Sequence, residues 1–347
     1  MDDGGAPQGI RVEAVTAWLD AHVAGARSPY SFSLIAGGRS NLTYIVTDST
    51  GRRLVLRRPP LSHALASAHD MGREHRIIAA LRDTRVPVPD ALGLCTDEEV
   101  NGAPFYLMEF VDGHVIRDQD AAIHLLSEPA RTAASHALVD TLAEIHRVDP
   151  GAVGLGELGR HEGYVARQLK RWYGQWNASK TRELPDIDVV HEELSRRIPD
   201  QGAATIVHGD FRLDNCIVGD DGSVRAVLDW ELCTLGDPLA DVGLLMVYWT
   251  GPNDDTTVRP FSGTQTLGFL DRRDIAARYA ATSGRDISQI DFYVAFAYWK
   301  LACIMEGVFA RYRAGAMGAT DEESLRLFSE QVELSAQQAR VTLARLV

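Results

Sequence analysis

Apolar residues recur at helical spacing over residues 11–24, where Val12, Val15, Trp18, Leu19 and Val23 share one stripe and predict a core-facing leading helix. The rhythm then shortens. Ile35 to Val46 reads as a glycine-containing loop running into a strand, and Arg53-Leu54-Val55-Leu56-Arg57 reads as a strand after a Thr50-Gly51 turn. Period two puts Val55 and Arg57 on one face and Leu54 and Leu56 on the other, and Pro59-Pro60 stops the run. A helix is predicted over 66–82, with His69, Met71, Arg73, Glu74 and Arg76 interleaving with Ile77, Ile78 and Leu81. After the extended connector Val86-Pro87-Val88-Pro89 come a strand at 91–95, a turn at Asn101-Gly102 and a strand over 105–111.

From about 131 the helical spacing returns in Ala134, Leu138, Leu142 and Ile145, ending at His146-Arg147-Val148-Asp149-Pro150. Lys170-Arg171-Trp172-Tyr173 and Trp176 form an aromatic, basic cluster on a further helix. It suits either an amphipathic helix packing on the core or one wall of a binding cleft. Cys216-Ile217-Val218, the turn Gly219-Asp220-Asp221-Gly222 and Ala226-Val227-Leu228 read as a hairpin. Asp237 is placed to cap a helix begun by Pro238 and closed near Tyr248-Trp249. A polar loop at 253–265 leads to helices near 271–283, 288–313 and 321–345. The 288–313 stretch is apolar nearly all round, which predicts a central helix. Glu306 within it is a candidate substrate contact. Strands early and helices late predict an α+β protein with a small antiparallel-sheet lobe, 1–111, and a larger, mostly helical lobe, 112–347.

With 347 residues, 45% of them hydrophobic, the chain can bury a sizeable core. A net charge of −13 argues against a general nucleic-acid surface. The cysteines at 95, 216, 233 and 303 form no CxxC pair and point to neither a disulfide framework nor a zinc site. Met1-Asp2-Asp3-Gly4-Gly5 is acidic and unlike a signal peptide. The apolar run at 292–305 is short and interrupted by Lys300, so no membrane insertion is expected. A cytoplasmic protein is the simplest expectation, and the sequence leaves its oligomeric state open.

The chemistry concentrates in residues 206–231. Apolar Ile206 and Val207 run into His208-Gly209-Asp210, and Asn215 follows five residues after Asp210. The hairpin can bring Asn215 and Asp229 to the same open end, with Asp210 on the loop before it. Hard divalent cations take such oxygen ligands, and a loop Asp can receive a hydroxyl proton. Upstream, the glycines of Gly37-Gly38-Arg39-Ser40-Asn41 permit close approach of backbone N–H groups to phosphate, with Ser40 and Asn41 adding hydrogen bonds. This is neither a GxGxxG fingerprint nor a Walker A sequence.

The order His208-Gly209-Asp210, Asn215, Asp229 resembles the catalytic core of the aminoglycoside phosphotransferase and choline kinase group, a branch of the protein-kinase-like fold. The fuller text, HGDFRLDN followed by LDWELCTLGDPLADVG, is similar to phosphotransferase-like domains found alone or fused to acyl-CoA dehydrogenases. The resemblance covers most of 31–313. It implies a two-lobed kinase-like fold, ATP as donor and Mg²⁺ held by Asn215 and Asp229. GTP is the alternative donor, because the hinge sequence does not choose the base. Asp210 is implied as the residue that orients and deprotonates an acceptor hydroxyl, with Arg212 neutralising the moving phosphoryl group. The 37–41 loop resembles the nucleotide-phosphate loop.

In kinase-like folds the strand equivalent to 53–57 ends in Lys. Arg57 stands there instead, a departure because the two side chains are not interchangeable. Arg58 is its nearest competitor. Glu74 resembles the helix glutamate that orients the phosphate-binding residue. Val55 shares Arg57's face and joins the nucleotide set. The 105–111 run resembles the edge strand leading into the interlobe hinge, which assigns adenine contacts to the backbone of Glu109 and Val111. His208 and Asp241 are implied as supports of the catalytic loop, and Asp214 and Glu231 either orient it, bind a second metal or face solvent. The partner implied is a small hydroxylated metabolite, with a hydroxyacyl compound preferred over an aminoglycoside and Trp172, Tyr173, Trp176 and Glu306 as acceptor-side candidates. The Arg57 departure keeps a catalytically weak nucleotide- or metabolite-binding protein as the alternative.

Overall fold

Period-two alternation sets the sheet and both its faces. The computed structural model describes residues 7–35, 41–61, 70–251, 262–315 and 321–346. The chain divides into two units, residues 1–113 with 225–231, and residues 114–224 with 232–347.

The first unit holds strands β1 (Ser31–Leu34), β2 (Leu42–Thr47), β3 (Arg53–Arg58), β4 (Ala91–Cys95) and β5 (Phe105–Glu109) in the order β1-β2-β3-β5-β4, each pair antiparallel. Tyr44, Val46, Leu54, Leu56, Phe105 and Leu107 form one core with Val15 and Leu19 of helix α1 (Val12–His22). The residues between them face the other way. The register pairs Val55 with Met108 and Arg57 with Tyr106. Helix α2 (Met71–Leu81), capped by Asp70 on the Arg73 N–H, packs on β4 and β5 and buries Met71, Glu74, Ile77 and Ile78. β5 is an interior strand, contrary to the edge position expected for 105–111, because β4 pairs along its outer side. Asn101-Gly102 closes a short helix, α3 (Glu98–Asn101), with Gly102 as its left-handed cap.

The second unit is mostly helical: α4 (Gln119–Leu125), α5 (Glu128–Arg147), α6 (Tyr164–Ser179), α7 (Pro185–Arg196), α8 (Pro238–Tyr248), α9 (Arg272–Ser283), α10 (Ile290–Arg313) and α11 (Glu322–Leu343). Ser127, Asp237, Asp271 and Asp321 cap α5, α8, α9 and α11 through their side chains. Short strands β6 (Thr205–Val207) and β9 (Thr234–Gly236) pair, and β7 (Cys216–Val218) leads through the expected hairpin turn to β8 (Val224–Val227), whose residues 225–227 belong to the first unit. α10 packs against α6, α7, α8 and α11. The expectation that its apolar run is too short to span a bilayer needs correcting, because the 24-residue helix is long and apolar enough. Its most apolar window is nonetheless 83% buried, and Phe292, Phe296 and Trp299 lie in the unit's core. α8 meets α10 so closely that a Cβ on Gly243 would stand 2.5 Å from the Tyr293 carbonyl oxygen. This is the α+β, two-lobed kinase-like fold that the resemblance implies.

Candidate active site

In the first unit, β3 alternation aims Arg57 at the α2 side. Its Nε lies 3.2 Å from Glu74 Oε2, and its Nη2 lies 2.5 Å from Asp229 Oδ1 and 3.8 Å from Glu231 Oε2. Asn41 Nδ2 donates to the same Glu231 oxygen at 3.1 Å. Asp229 reaches this place because residues 225–231 belong to the first unit, where the Val227 N–H donates to Pro87 O at 2.8 Å. Asp229 has φ 65°, the left-handed region, and is the one non-glycine residue with positive φ among the described residues. Such backbone strain concentrates at functional sites.

Burial opposes the charge on Arg57, but Glu74, Tyr106 and Asp229 outweigh it and raise its pKa. Burial likewise pushes the Glu74 carboxyl up, with Arg57 pulling it back. Arg58 turns to the opposite face and donates to the carbonyls of Gly9 and Pro59, which separates it from this cluster. Val55 is buried on Arg57's face. The Glu109 N–H is spent on Asp90 O at 2.9 Å, and Val111 follows the end of β5. Gly37, Gly38, Arg39 and Ser40 lie outside the described residues.

In the second unit, β6 delivers the chain into a turn held from behind by α8. Asp241, in the first turn of α8 and 1% exposed, accepts the N–H groups of His208 at 2.7 Å and Gly209 at 2.9 Å. His146 stands behind it, with Nε2 3.3 Å from Asp241 Oδ2 and Nδ1 2.7 Å from the Tyr279 hydroxyl. Burial would raise the Asp241 carboxyl, but the hydrogen bond and charge of His146, the charge of His208 and the Gly209 N–H together lower it. Burial lowers His146, against the pull of Asp241.

Gly209 takes φ 86°, and a Cβ there would meet Leu232 O at 2.8 Å, so both conformation and space require glycine. The Asp210 N–H donates to His208 Nδ1 at 3.3 Å. Asn215 Nδ2 donates to Asp210 O at 2.8 Å and to its Oδ2 at 3.0 Å, and Arg212 Nε lies 3.1 Å from Oδ2. Arg212 Nη1 holds Asp214 Oδ2 at 2.7 Å, and its guanidinium lies over the Tyr248 ring at 5.1 Å. Burial disfavours the charge on Arg212, yet Asp210 and Asp214 raise its pKa.

The structure thus brings Asp210, Arg212, Asn215, His208 and Asp241 together in one unit. It brings Asn41, Arg57, Glu74 and Asp229 together in the other. The aromatic candidates lie elsewhere. Trp172 and Trp176 are buried in the α6–α7–α10 core, and Tyr173 stacks on His191 while donating to Asp188 Oδ1 at 2.8 Å. Glu306 is fully buried and engaged by Thr181 N at 2.7 Å, Thr181 Oγ1 at 2.8 Å and Arg182 Nη2 at 3.1 Å. A hollow missed by sequence reasoning opens beside Arg212, lined by Ile116, Arg117, Leu213, Leu245, Tyr248 and Trp249. Its available signal was Tyr248-Trp249 ending a helix just before a polar loop.

Each unit offers an oxygen donor of the kind a hard cation takes. In the second unit Asn215 spends its Nδ2 on Asp210, which leaves Oδ1, and in the first Asp229 carries a carboxylate. Among the described residues no group of three His, Cys, Asp or Glu is arranged to hold a metal by itself. Mg²⁺ commonly takes one or two carboxylates and fills its shell with substrate phosphates and water.

Comparison with known proteins gives consistent results. The phosphotransferase enzyme family matches residues 31–277. Mouse acyl-CoA dehydrogenase family member 10 is 37% identical over 303 residues, which are 86% of this chain and 28% of that protein. Chicken acyl-CoA dehydrogenase family member 11 is 34% identical over 331 residues, 93% of this chain and 41% of the other. The chain therefore spans well under half the length of these relatives. A Ralstonia eutropha crystal structure, provisionally assigned as an aminoglycoside phosphotransferase, superposes with a TM-score of 0.79 at 34% identity, covering 95% of this chain and 98% of that one.

Proposed function

Because the chain belongs to the phosphotransferase enzyme family, we propose that it transfers the γ-phosphoryl group of ATP to a hydroxyl of a small metabolite, with Asp210 at the reacting hydroxyl. The observation that carries this reading is the fixed Asp210 carboxylate, held through Oδ2 by Asn215 at 3.0 Å and Arg212 at 3.1 Å on a loop gripped by buried Asp241. Asp210 orients the acceptor hydroxyl and takes its proton late in the transfer. Arg212 offsets charge on the moving phosphoryl group. Arg57, set in place by Glu74, steadies the donor phosphates, and its fork of contacts supports Arg in the role usually filled by Lys. Asn41, Val55 and the backbone of Glu109 and Val111 complete the nucleotide set. Asn215 and Asp229 would hold Mg²⁺, which when bound neutralises the phosphates. The remainder of the catalysis is positioning and electrostatics. Free, buried cysteines support a cytoplasmic setting as part of the same proposal.

For the acceptor we favour a hydroxyacyl compound. The relatives named as acyl-CoA dehydrogenase family members support this choice. The aminoglycoside reading draws on the Ralstonia relative.

A kinetic panel separates them. Purified protein with Mg²⁺ and ATP is assayed on several aminoglycosides, choline, and short- to medium-chain hydroxyacyl acids and their CoA esters. Saturable phosphorylation of the acyl compounds is expected, and ATP competes more strongly than GTP. Efficient turnover of an aminoglycoside with none of the acyl set would reverse the preference. ATP binding without turnover of any acceptor would support the binding-protein alternative.

A further inference from the structure

α10 is apolar on most sides, yet it buries a lysine. Lys300 is 8% exposed, in a core where an ammonium group is costly unless it has work to do. Its Nζ lies 3.5 Å from the carbonyl oxygen of Gly209 and 5.9 Å from the centre of the Trp172 ring. The first contact is long for a hydrogen bond but well within reach of the ammonium charge. Burial lowers the lysine's pKa, with Asp210 and Asp241 holding it up and Arg171 lowering it further.

The carbonyl that Lys300 meets belongs to the peptide joining Gly209 to Asp210. The N–H of that peptide donates to His208 Nδ1 at 3.3 Å. The two preceding N–H groups are taken by Asp241. Both polar atoms of the 209–210 peptide therefore have partners, the oxygen through Lys300 and the nitrogen through His208. A fixed plane is needed here because Gly209, at φ 86°, lacks the Cβ that restrains neighbouring peptide rotation. Turning this plane changes φ of Asp210 and swings its Cα–Cβ bond away from Asn215 and Arg212.

We infer that Lys300 is a positioning residue whose ammonium locks the Gly209–Asp210 peptide and so fixes the direction in which Asp210 presents its carboxylate. This rests on the reading of Asp210 as the residue at the reacting hydroxyl. In sequence the only sign was a cation interrupting an apolar run, and its partner stands 91 residues away.

Lys300→Met keeps length and apolar packing while removing the donor. Lys300→Gln keeps a neutral donor on a shorter stem. Phosphoryl transfer, KM for ATP and thermal midpoint are measured for both, with Asp210→Asn alongside. Misplacing a reacting group by about 1 Å costs on the order of 100-fold, so Lys300→Met should lower kcat by about that factor. KM for ATP and the thermal midpoint should stay at wild-type values, and Lys300→Gln should recover part of kcat. Where the Met variant does not fold, the Gln variant carries the test, with lowered kcat at unchanged KM as the expected result. Wild-type kcat in Lys300→Met, or a loss that merely follows a lowered midpoint, overturns the inference while an inactive Asp210→Asn leaves the proposed function standing. Transfer that survives in Asp210→Asn overturns the functional reading, and this inference with it.

Discussion

Asp241→Asn removes one charge from the interior and tests how the catalytic loop is held. The carboxylate, 1% exposed, accepts the N–H groups of His208 and Gly209 at 2.7 and 2.9 Å on separate oxygens. An asparagine side chain has one oxygen, so one loop N–H must face an NH₂ group instead. A buried donor left without an acceptor costs about 1–3 kcal/mol, which puts the expected loss near 2 kcal/mol. For a folding unit of this size each kcal/mol moves the midpoint by about 2–4 °C, so the shift should be about 4–8 °C downward. The loop should loosen as well, lowering kcat while ATP binding, proposed for Arg57 in the other unit, is retained. Thermal melts followed by tryptophan fluorescence, steady-state kinetics and nucleotide titration provide the three readouts. A midpoint and kcat both equal to wild type would refute the view that Asp241 holds the 208–210 backbone.

Other perturbations probe the remaining parts. Arg57→Met leaves the buried Glu74 carboxyl without its cation, so it should destabilise by about 3–5 kcal/mol and raise KM for ATP. Adding Glu74→Gln should restore stability but not KM, as denaturant melts and kinetics of the double variant would reveal. Burial keeps His146 neutral below its ordinary pKa of 6.5 in the folded state, whereas the unfolded chain takes up the proton there. Its contribution is therefore complete above pH 6.5 and declines as pH falls, by at most about 1.4 kcal/mol per pH unit. A pH series of melts should lose that acid limb in His146→Gln. Glu306→Ala strands the Thr181 N–H, while Arg182 keeps Glu333 and the Ser329 carbonyl, so a loss of about 1–3 kcal/mol with unchanged acceptor KM is expected, and a selective KM effect would instead make Glu306 a substrate contact.

The long helices were legible because their stripes are long. Residues 271–283, 288–313 and 321–345 read as helices, and the structure has Arg272–Ser283, Ile290–Arg313 and Glu322–Leu343. The α2-facing side of β3 was legible from alternation alone, which placed Val55 and Arg57 together. Sheet order was not. Whether β5 is an edge depends on where β4 pairs, a relation that no local pattern encodes. β6 and β9, three residues each, are too short to leave a periodic signal.

The loop itself was compact in sequence, and within it Asn215 and Arg212 both contact Asp210. The supports of that loop come from far along the chain, and Arg57 meets Asp229 across 172 residues. A lone buried charge such as Lys300 or Glu306 is visible in an apolar stripe, but its partner is not. The aromatic cluster at 172–176 had a composition equally suited to a cleft and to a core, and only the packing of α6 on α10 shows that Trp172 and Trp176 are buried between helices.

The central claim is that Asp210 carries phosphoryl transfer to a hydroxyl. Single-turnover transfer of labelled γ-phosphate from ATP to a hydroxyacyl acceptor, compared between wild type and Asp210→Asn, addresses it most directly. The substitution preserves shape and removes the group that takes the proton. A loss of about 10²–10⁴-fold in the transfer rate is expected, with ATP affinity unchanged. Labelled product forming at the wild-type rate in Asp210→Asn would contradict the account.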